Sequence, residues 1–157
     1  MTTAEKLVKR LTELGKTCGT AESCTGGGVG SAITAVSGSS AAFWGGVISY
    51  DNSVKRNVLG VSPETLATVG AVSSETAAQM ALGVRKLQNV DYAISITGIA
   101  GPGGGSAEKP VGLVWFGIAA PTGVKTENRT FPGGRNEVRA AAVEHALSML
   151  LAAADEK

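Results

Sequence analysis

Apolar positions recur along the chain at two spacings, and each change from one to the other marks a new element. Leu7, Leu11 and Leu14 follow a Thr2-x-x-Glu5 capping box at helical spacing and stop at Gly15, which predicts a helix over residues 3–14. Residues 17–22 are rich in strand formers and small side chains. They run directly into Ser23-Cys24-Thr25-Gly26-Gly27-Gly28, a glycine turn opening a helix of small residues over 26–36. A second strand reads over 46–50, and Asn52 supplies an N-cap for a short helix carrying Lys55, Val58 and Leu59 before Gly60. Ser62-Pro63-Glu64 and Ser73-Ser74-Glu75 are two further helix starts, the second for a helix ending near Gln88. Residues 91–97 form a buried strand, and a glycine-rich loop follows over 98–110. Residues 111–119 and 124–130 flank Pro121-Thr122-Gly123 as a hairpin, and the helix over 136–154 sets Val138, Ala142, His145 and Met149 along one side.

Helices and apolar strands that alternate in this way predict an α/β fold: a three-layer α/β/α domain around a mixed, mostly parallel sheet, with the late hairpin forcing at least one antiparallel strand. No repeat or linker interrupts residues 1–157, which read as a single domain. Composition narrows the partners. At 43% hydrophobic and 17% charged, with 22 glycines, the chain is not disordered. Fourteen basic against 13 acidic residues give a net charge of +1, without the basic stripe that nucleic acid requires. Residues 23–50 carry no charge, yet 15 of these 28 positions are Gly, Ser or Thr, so a membrane span is not expected. Cys18 and Cys24 are the only cysteines, and MTTAEKLVKR at the amino terminus lacks an apolar signal core. A reducing cytoplasm is the expected location.

Four places could carry chemistry. Ser23 stands at a strand end beside glycines that open a helix, where free backbone N–H groups near Thr25, Gly26 and Gly27 could hold an oxyanion. The plainer alternative is that Ser23 and Thr25 cap that helix. Tyr50 and Lys55 bracket the next strand-to-helix junction. A lysine near a helix start and partly desolvated could act as a neutral base for a serine, whereas a solvated lysine beside Arg56 is the plainer alternative. Thr97 leads into Gly98, Gly101 and Gly103, whose loop lets main chain approach a ligand or else simply flexes at the surface. Arg135, on the first turn of the last helix, could hold an anion or lie exposed. No cysteine, histidine or carboxylate pair has zinc spacing, and no metal is expected.

Taken together these motifs closely resemble the carboxy-terminal domain of the CinA family. The resemblance is carried by AESCTGGGVGSAIT (21–34), SGSSAAFWGGVISYDNSVKRNVLGV (37–61), GAVSSETAAQMALGVR (70–85), ISITGIAGPGGGSAEKPVGLVWFGIA (94–119) and FPGGRNEVR (131–139). It implies hydrolysis of the carboxamide of nicotinamide mononucleotide to nicotinate mononucleotide and ammonia, a step of pyridine nucleotide recycling, with no cofactor. It also implies an α/β/α fold and a homo-oligomer, with a dimer favoured. By motif match Ser23 looks like the nucleophile, with Tyr50 and Lys55 as its activating partners. Thr97 and the following glycines look like substrate contacts, and Arg135 like the phosphate ligand. A non-enzymatic nucleotide-binding or regulatory module, and a serine amidase for another small carboxamide, are the competing expectations.

Overall fold

The computed structural model describes residues 1–156. Helix α1 (Thr3–Leu14) starts where the Thr2 hydroxyl accepts from the Glu5 amide and ends where Gly15 turns left-handed at φ 66°. Strand β1 (Cys18–Glu22) is buried throughout, as befits a strand with neighbours on both edges. It leads through a glycine turn to α2 (Gly28–Thr34). A short 3-10 turn over Ser39–Ala41 precedes β2 (Phe43–Ile48), and α3 (Asn52–Asn57) and α4 (Pro63–Thr68) follow. Helix α5 (Ser74–Gln88) is capped by the Ser73 hydroxyl, and β3 (Tyr92–Gly98) runs through the centre of the sheet. The hairpin β4 (Leu113–Ala120) and β5 (Gly123–Thr130) then passes into the long α6 (Arg135–Asp155).

The sheet order is β2-β1-β3-β4-β5. Strand β1 pairs in parallel with both β2 and β3, whereas β4 runs antiparallel to β3 and β5, so β4 alone opposes the common direction. This is the mixed, mostly parallel arrangement expected, with the hairpin as the antiparallel part. One face is covered by α1, α2 and α6, where Leu7, Leu11, Ile33, Ile94, Phe116 and Leu150 form the larger core. The other is covered by α5, with Leu59, Val61, Met80 and Val84. Gly83 makes that second layer possible, because a Cβ there would lie 1.9 Å from the Leu59 carbonyl oxygen. Among the described residues no helix is long and apolar enough to cross a membrane.

Several boundaries differ from expectation for local reasons. Strand β2 begins at Phe43, because Gly45 and Gly46 are accommodated within the ladder to β1. Helix α2 begins at Gly28 and not at 26, since Gly26 and Gly27 take φ of 59° and 101° and belong to the turn. The cap of α3 is Asp51, whose carboxylate accepts from the Ser53 amide, and Asn52 is the first helical residue. The last helix, read from 136, opens at Arg135, which stands on its first turn as expected.

Candidate active site

Parallel strands β1, β2 and β3 end at the same edge of the sheet, and the candidate residues gather there. Ser23 follows β1 directly. Its amide donates to the Ile96 carbonyl of β3 (2.9 Å), and the Ser49 amide donates to the Glu22 carbonyl (2.8 Å), so both neighbouring strands fix the point where β1 stops. Two consecutive turns follow, closed by Gly26 N–H to Ser23 O (3.1 Å) and Gly28 N–H to Thr25 O (3.0 Å). Only residues without a Cβ adopt the left-handed conformations of Gly26 and Gly27 at low cost, which explains the glycine run.

The opening amides of α2 are satisfied by a residue that the sequence reading did not single out. Glu22 is buried, and its carboxylate accepts from Val29 N–H (2.8 Å), Gly30 N–H (3.0 Å) and the Thr25 hydroxyl (2.6 Å). Ser23 therefore does not cap α2, and neither does Thr25, whose hydroxyl is committed to Glu22. A second unanticipated residue is Arg139 of α6, which donates to the carbonyls of Cys24 (3.1 Å) and Thr25 (3.3 Å). Among the expected amide donors, Gly26 is tied to Ser23 O, whereas the Thr25 and Gly27 amides have no acceptor among the described residues; nor has the amide of Cys24, which was not expected there.

Lys55 approaches Ser23 from the neighbouring element. It is 1% exposed, and its Nζ lies 3.1 Å from Ser23 Oγ, 2.7 Å from Ser49 O and 3.0 Å from Tyr50 O. Burial holds its pKa below the ordinary lysine value, while the Asp51 carboxylate and Cys24 push it back upward. The helix-start explanation of this shift fails, because Lys55 sits in the last turn of a six-residue helix. Desolvation is the cause. Cys24 next to Ser23 is also buried, which pushes its thiol up to about 11 and keeps it protonated near neutrality.

A cavity of about 210 Å³ lies above this pair, lined by Ser23, Tyr50, Lys55, Thr97, Gly98 and Arg135 among others. Cys24 and Asn52 also line it, and neither was anticipated there. The Tyr50 phenol accepts from Arg135 Nη2 (3.3 Å), and the hydrogen bond of Tyr50 with the lysine is through its carbonyl. Arg135 Nη1 donates to Gly101 O (2.7 Å), which ties the glycine loop to the rim. Thr97 donates its hydroxyl to Ala71 O (2.8 Å) and retains only acceptor capacity toward the cavity. Thr25, Gly26, Gly27, Gly101 and Gly103 do not line it; the first three shape the turn, and Gly103 faces open space. Among the described residues no three His, Cys, Asp or Glu side chains gather as metal ligands. A larger groove of about 880 Å³ between α1, α2 and α6 is lined by residues such as Val8, Ala35, Val143 and Leu147 and holds none of these groups.

The family model of the CinA C-terminal domain matches residues 1–154. A CinA-like protein of Cyanothece is 60% identical over 122 residues, covering 78% of this chain and 29% of its own length. One from Synechococcus sp. is 52% identical over 142 residues, covering 89% of this chain and 34% of its own. The chain thus spans about a third of the length of these relatives. Among solved structures, the competence/damage inducible protein CihA from Agrobacterium tumefaciens superposes with a TM-score of 0.90 at 48% identity, covering 97% of this chain and 96% of that one. A competence-damaged protein (CinA) superfamily protein from Enterobacter cloacae gives 0.93 at 36% identity, covering 99% and 94%.

Proposed function

From a chain that belongs to the family of the CinA C-terminal domain, and from a serine met by a buried lysine, we propose a serine amidohydrolase that converts nicotinamide mononucleotide to nicotinate mononucleotide and ammonia. The observation that carries this reading is the environment of Lys55 Nζ. Three oxygens surround this atom, the carbonyls Ser49 O and Tyr50 O and the hydroxyl Ser23 Oγ; when the amine is neutral, its two N–H groups go to the carbonyls and its lone pair faces the hydroxyl. Held this way, the lone pair accepts the serine proton. Among the described residues no carboxylate lies within 4 Å of Nζ; the more distant Asp51 favours the charged form, and burial, the larger effect, disfavours it.

In the reaction, Ser23 Oγ attacks the carboxamide carbon while its proton passes to Lys55. The oxygen of the tetrahedral intermediate takes the negative charge, against the unbonded amide of Cys24, a residue that lines the cavity. The C–N bond breaks as Lys55 returns the proton to nitrogen, and ammonia leaves. Water, deprotonated by the same amine, then attacks the Ser23 ester, and nicotinate mononucleotide and the free serine are regenerated. Arg135 sits at the rim, where its guanidinium would meet the 5′-phosphate. A binding module that used Ser23 only as a cap is disfavoured, because Glu22 performs that task.

The test is ammonia release from nicotinamide mononucleotide by the purified protein, with nicotinamide riboside and glutamine as controls. Release from the nucleotide well above both controls supports the proposal. No release above background sinks it.

A further inference from the structure

We infer that Asn52 is a specificity-determining residue that reads the ribose hydroxyls of the nucleotide. The inference rests on the serine amidohydrolase reading above. Asn52 reads as the cap of α3 in the sequence, but Asp51 takes that task, because its carboxylate accepts from the Ser53 amide (3.0 Å) and the Ser53 hydroxyl (2.6 Å). The Asn52 carboxamide is thereby released from the helix. It is exposed, lines the cavity above Ser23, and forms no hydrogen bond to the protein among the described residues. The other oxygen- and nitrogen-bearing side chains of the lining are all engaged: Ser23 with Lys55, Thr97 with Ala71 O, and Tyr50 with Arg135, which also holds Gly101 O.

Placement decides which part of the substrate this group meets. Asn52 and Lys55 are three residues apart on α3, so their side chains share one face of the helix. Lys55 reaches the floor of the cavity, where Nζ meets Ser23 Oγ at 3.1 Å and the residue is 1% exposed; Asn52, one turn earlier, stands exposed at the mouth. Tyr50 lies two residues before α3, and its phenol receives Arg135 Nη2 at 3.3 Å. Asn52 thus belongs to the wall that joins the Ser23–Lys55 pair to the Tyr50–Arg135 pair. With the carboxamide carbon at Ser23 and the 5′-phosphate at Arg135, the part of nicotinamide mononucleotide between them is the ribose, which presents two vicinal hydroxyls. Each hydroxyl both donates and accepts. A side-chain amide offers a carbonyl acceptor beside two N–H donors, so one asparagine can serve both hydroxyls without bringing a charge next to the pyridinium or the Lys55 amine.

A contact to the sugar is present in the ground state and the transition state alike, so it belongs in KM and not in kcat. Each neutral hydrogen bond is worth about fivefold in affinity, so Asn52→Ala should raise KM for nicotinamide mononucleotide roughly 5–25-fold and leave kcat within about threefold. Alanine is the better helix former and the position is exposed, so the variant should fold. The discriminating probe is the 2′,3′-dideoxy-2′,3′-difluoro analogue of the nucleotide, in which neither position can donate. Wild type should bind it more weakly by the same factor, and Asn52→Ala should treat the two nucleotides alike. Calorimetric affinities for nicotinate mononucleotide and its difluoro counterpart should repeat the pattern without turnover. The pH profile of kcat should stay in place, which a loss of Lys55 alignment would not permit. Equal losses on both nucleotides, an unchanged KM, no preference of wild type for the hydroxyls, or a shifted pH profile overturns the inference. A wild-type protein that releases no ammonia from the nucleotide overturns the amidohydrolase reading instead, and the calorimetric pair then decides for or against Asn52; absence of binding to either product overturns both.

Discussion

Replacing Lys55 by methionine removes the amine and nearly preserves the volume of a side chain that is 1% exposed. General-base assistance is worth about 10²–10⁴ in rate, or roughly 2.7–5.5 kcal/mol of barrier, so turnover should fall by that factor. The pH dependence is the sharper measure. Burial lowers the Lys55 pKa in the folded protein, and the base must be neutral. Wild-type kcat should therefore rise with pH along a single-proton limb whose midpoint lies below the ordinary lysine value of about 10.4. That limb should be missing from Lys55→Met. Because Asp51 pushes the Lys55 pKa upward, Asp51→Asn, which still offers a capping oxygen, should move the limb to lower pH.

Stability carries the same signature with a definite sign. Between the lowered folded pKa and the ordinary value the unfolded chain binds one more proton than the native one, so wild-type stability rises there by about 1.4 kcal/mol per pH unit. Below the folded pKa the full cost of the buried charge is present; above the ordinary value it is gone. Against this gain Lys55→Met leaves Ser49 O and Tyr50 O without their donor, at a cost of about 1–3 kcal/mol for each group left unsatisfied. Denaturant midpoints of the two proteins from pH 6 to 10 should show wild type gaining on the variant as pH rises. Retention of kcat within threefold of wild type in Lys55→Met, or an unchanged pH limb, would remove the lysine from the chemistry.

Ser23→Ala should abolish ammonia release with fold and substrate affinity intact, whereas Cys24→Ala, which removes a thiol held protonated by burial, should stay active; the reverse pattern transfers the nucleophile to Cys24. Arg135→Ala should weaken nicotinamide mononucleotide by about ten- to a hundredfold in KM and barely affect the riboside. Equal losses would mean that its bonds to Gly101 O and Tyr50 OH shape the cavity as a whole. Gly83→Ala should destabilise by at least about 2 kcal/mol in thermal unfolding, because the new methyl meets main chain at Leu59 and not a side chain that could turn aside; an unshifted melting temperature contradicts the close packing of α5.

Much of this was legible from local signals, because local chemistry decided it. The Thr2–Glu5 box and Gly15 bound α1 where expected, and the apolar run over β3 marks the strand buried on both faces. Ser23 and Lys55 were identifiable as residues, but their juxtaposition depends on the parallel pairing of β1 with β2, which spacing along the chain does not encode. Of the two reasons given for a perturbed lysine, helix position fails and desolvation holds. Glu22 and Arg139 escaped notice because both act on the main chain. Their signals were nonetheless present. Glu22 is a carboxylate at a strand end just before a helix opened by glycine, and Arg139 lies one helical turn after Arg135.

The proposed base and nucleophile ride on elements of unequal security. Ser23 extends a strand with partners on both edges, whereas Lys55 lies on α3 just after β2, an edge strand joined to the sheet through β1 alone. Peripheral strands open at lower free energy than central ones. If β2 opens first, it should carry Ser49 O, Tyr50 O and the amine with it and leave β1, β3 and the α6 layer folded. On the proposed function, turnover should therefore have its own melting curve. On gentle warming or in dilute denaturant, turnover should vanish while circular dichroism still reports an intact sheet, so the working temperature range is bounded by the rim of the domain and not by its core.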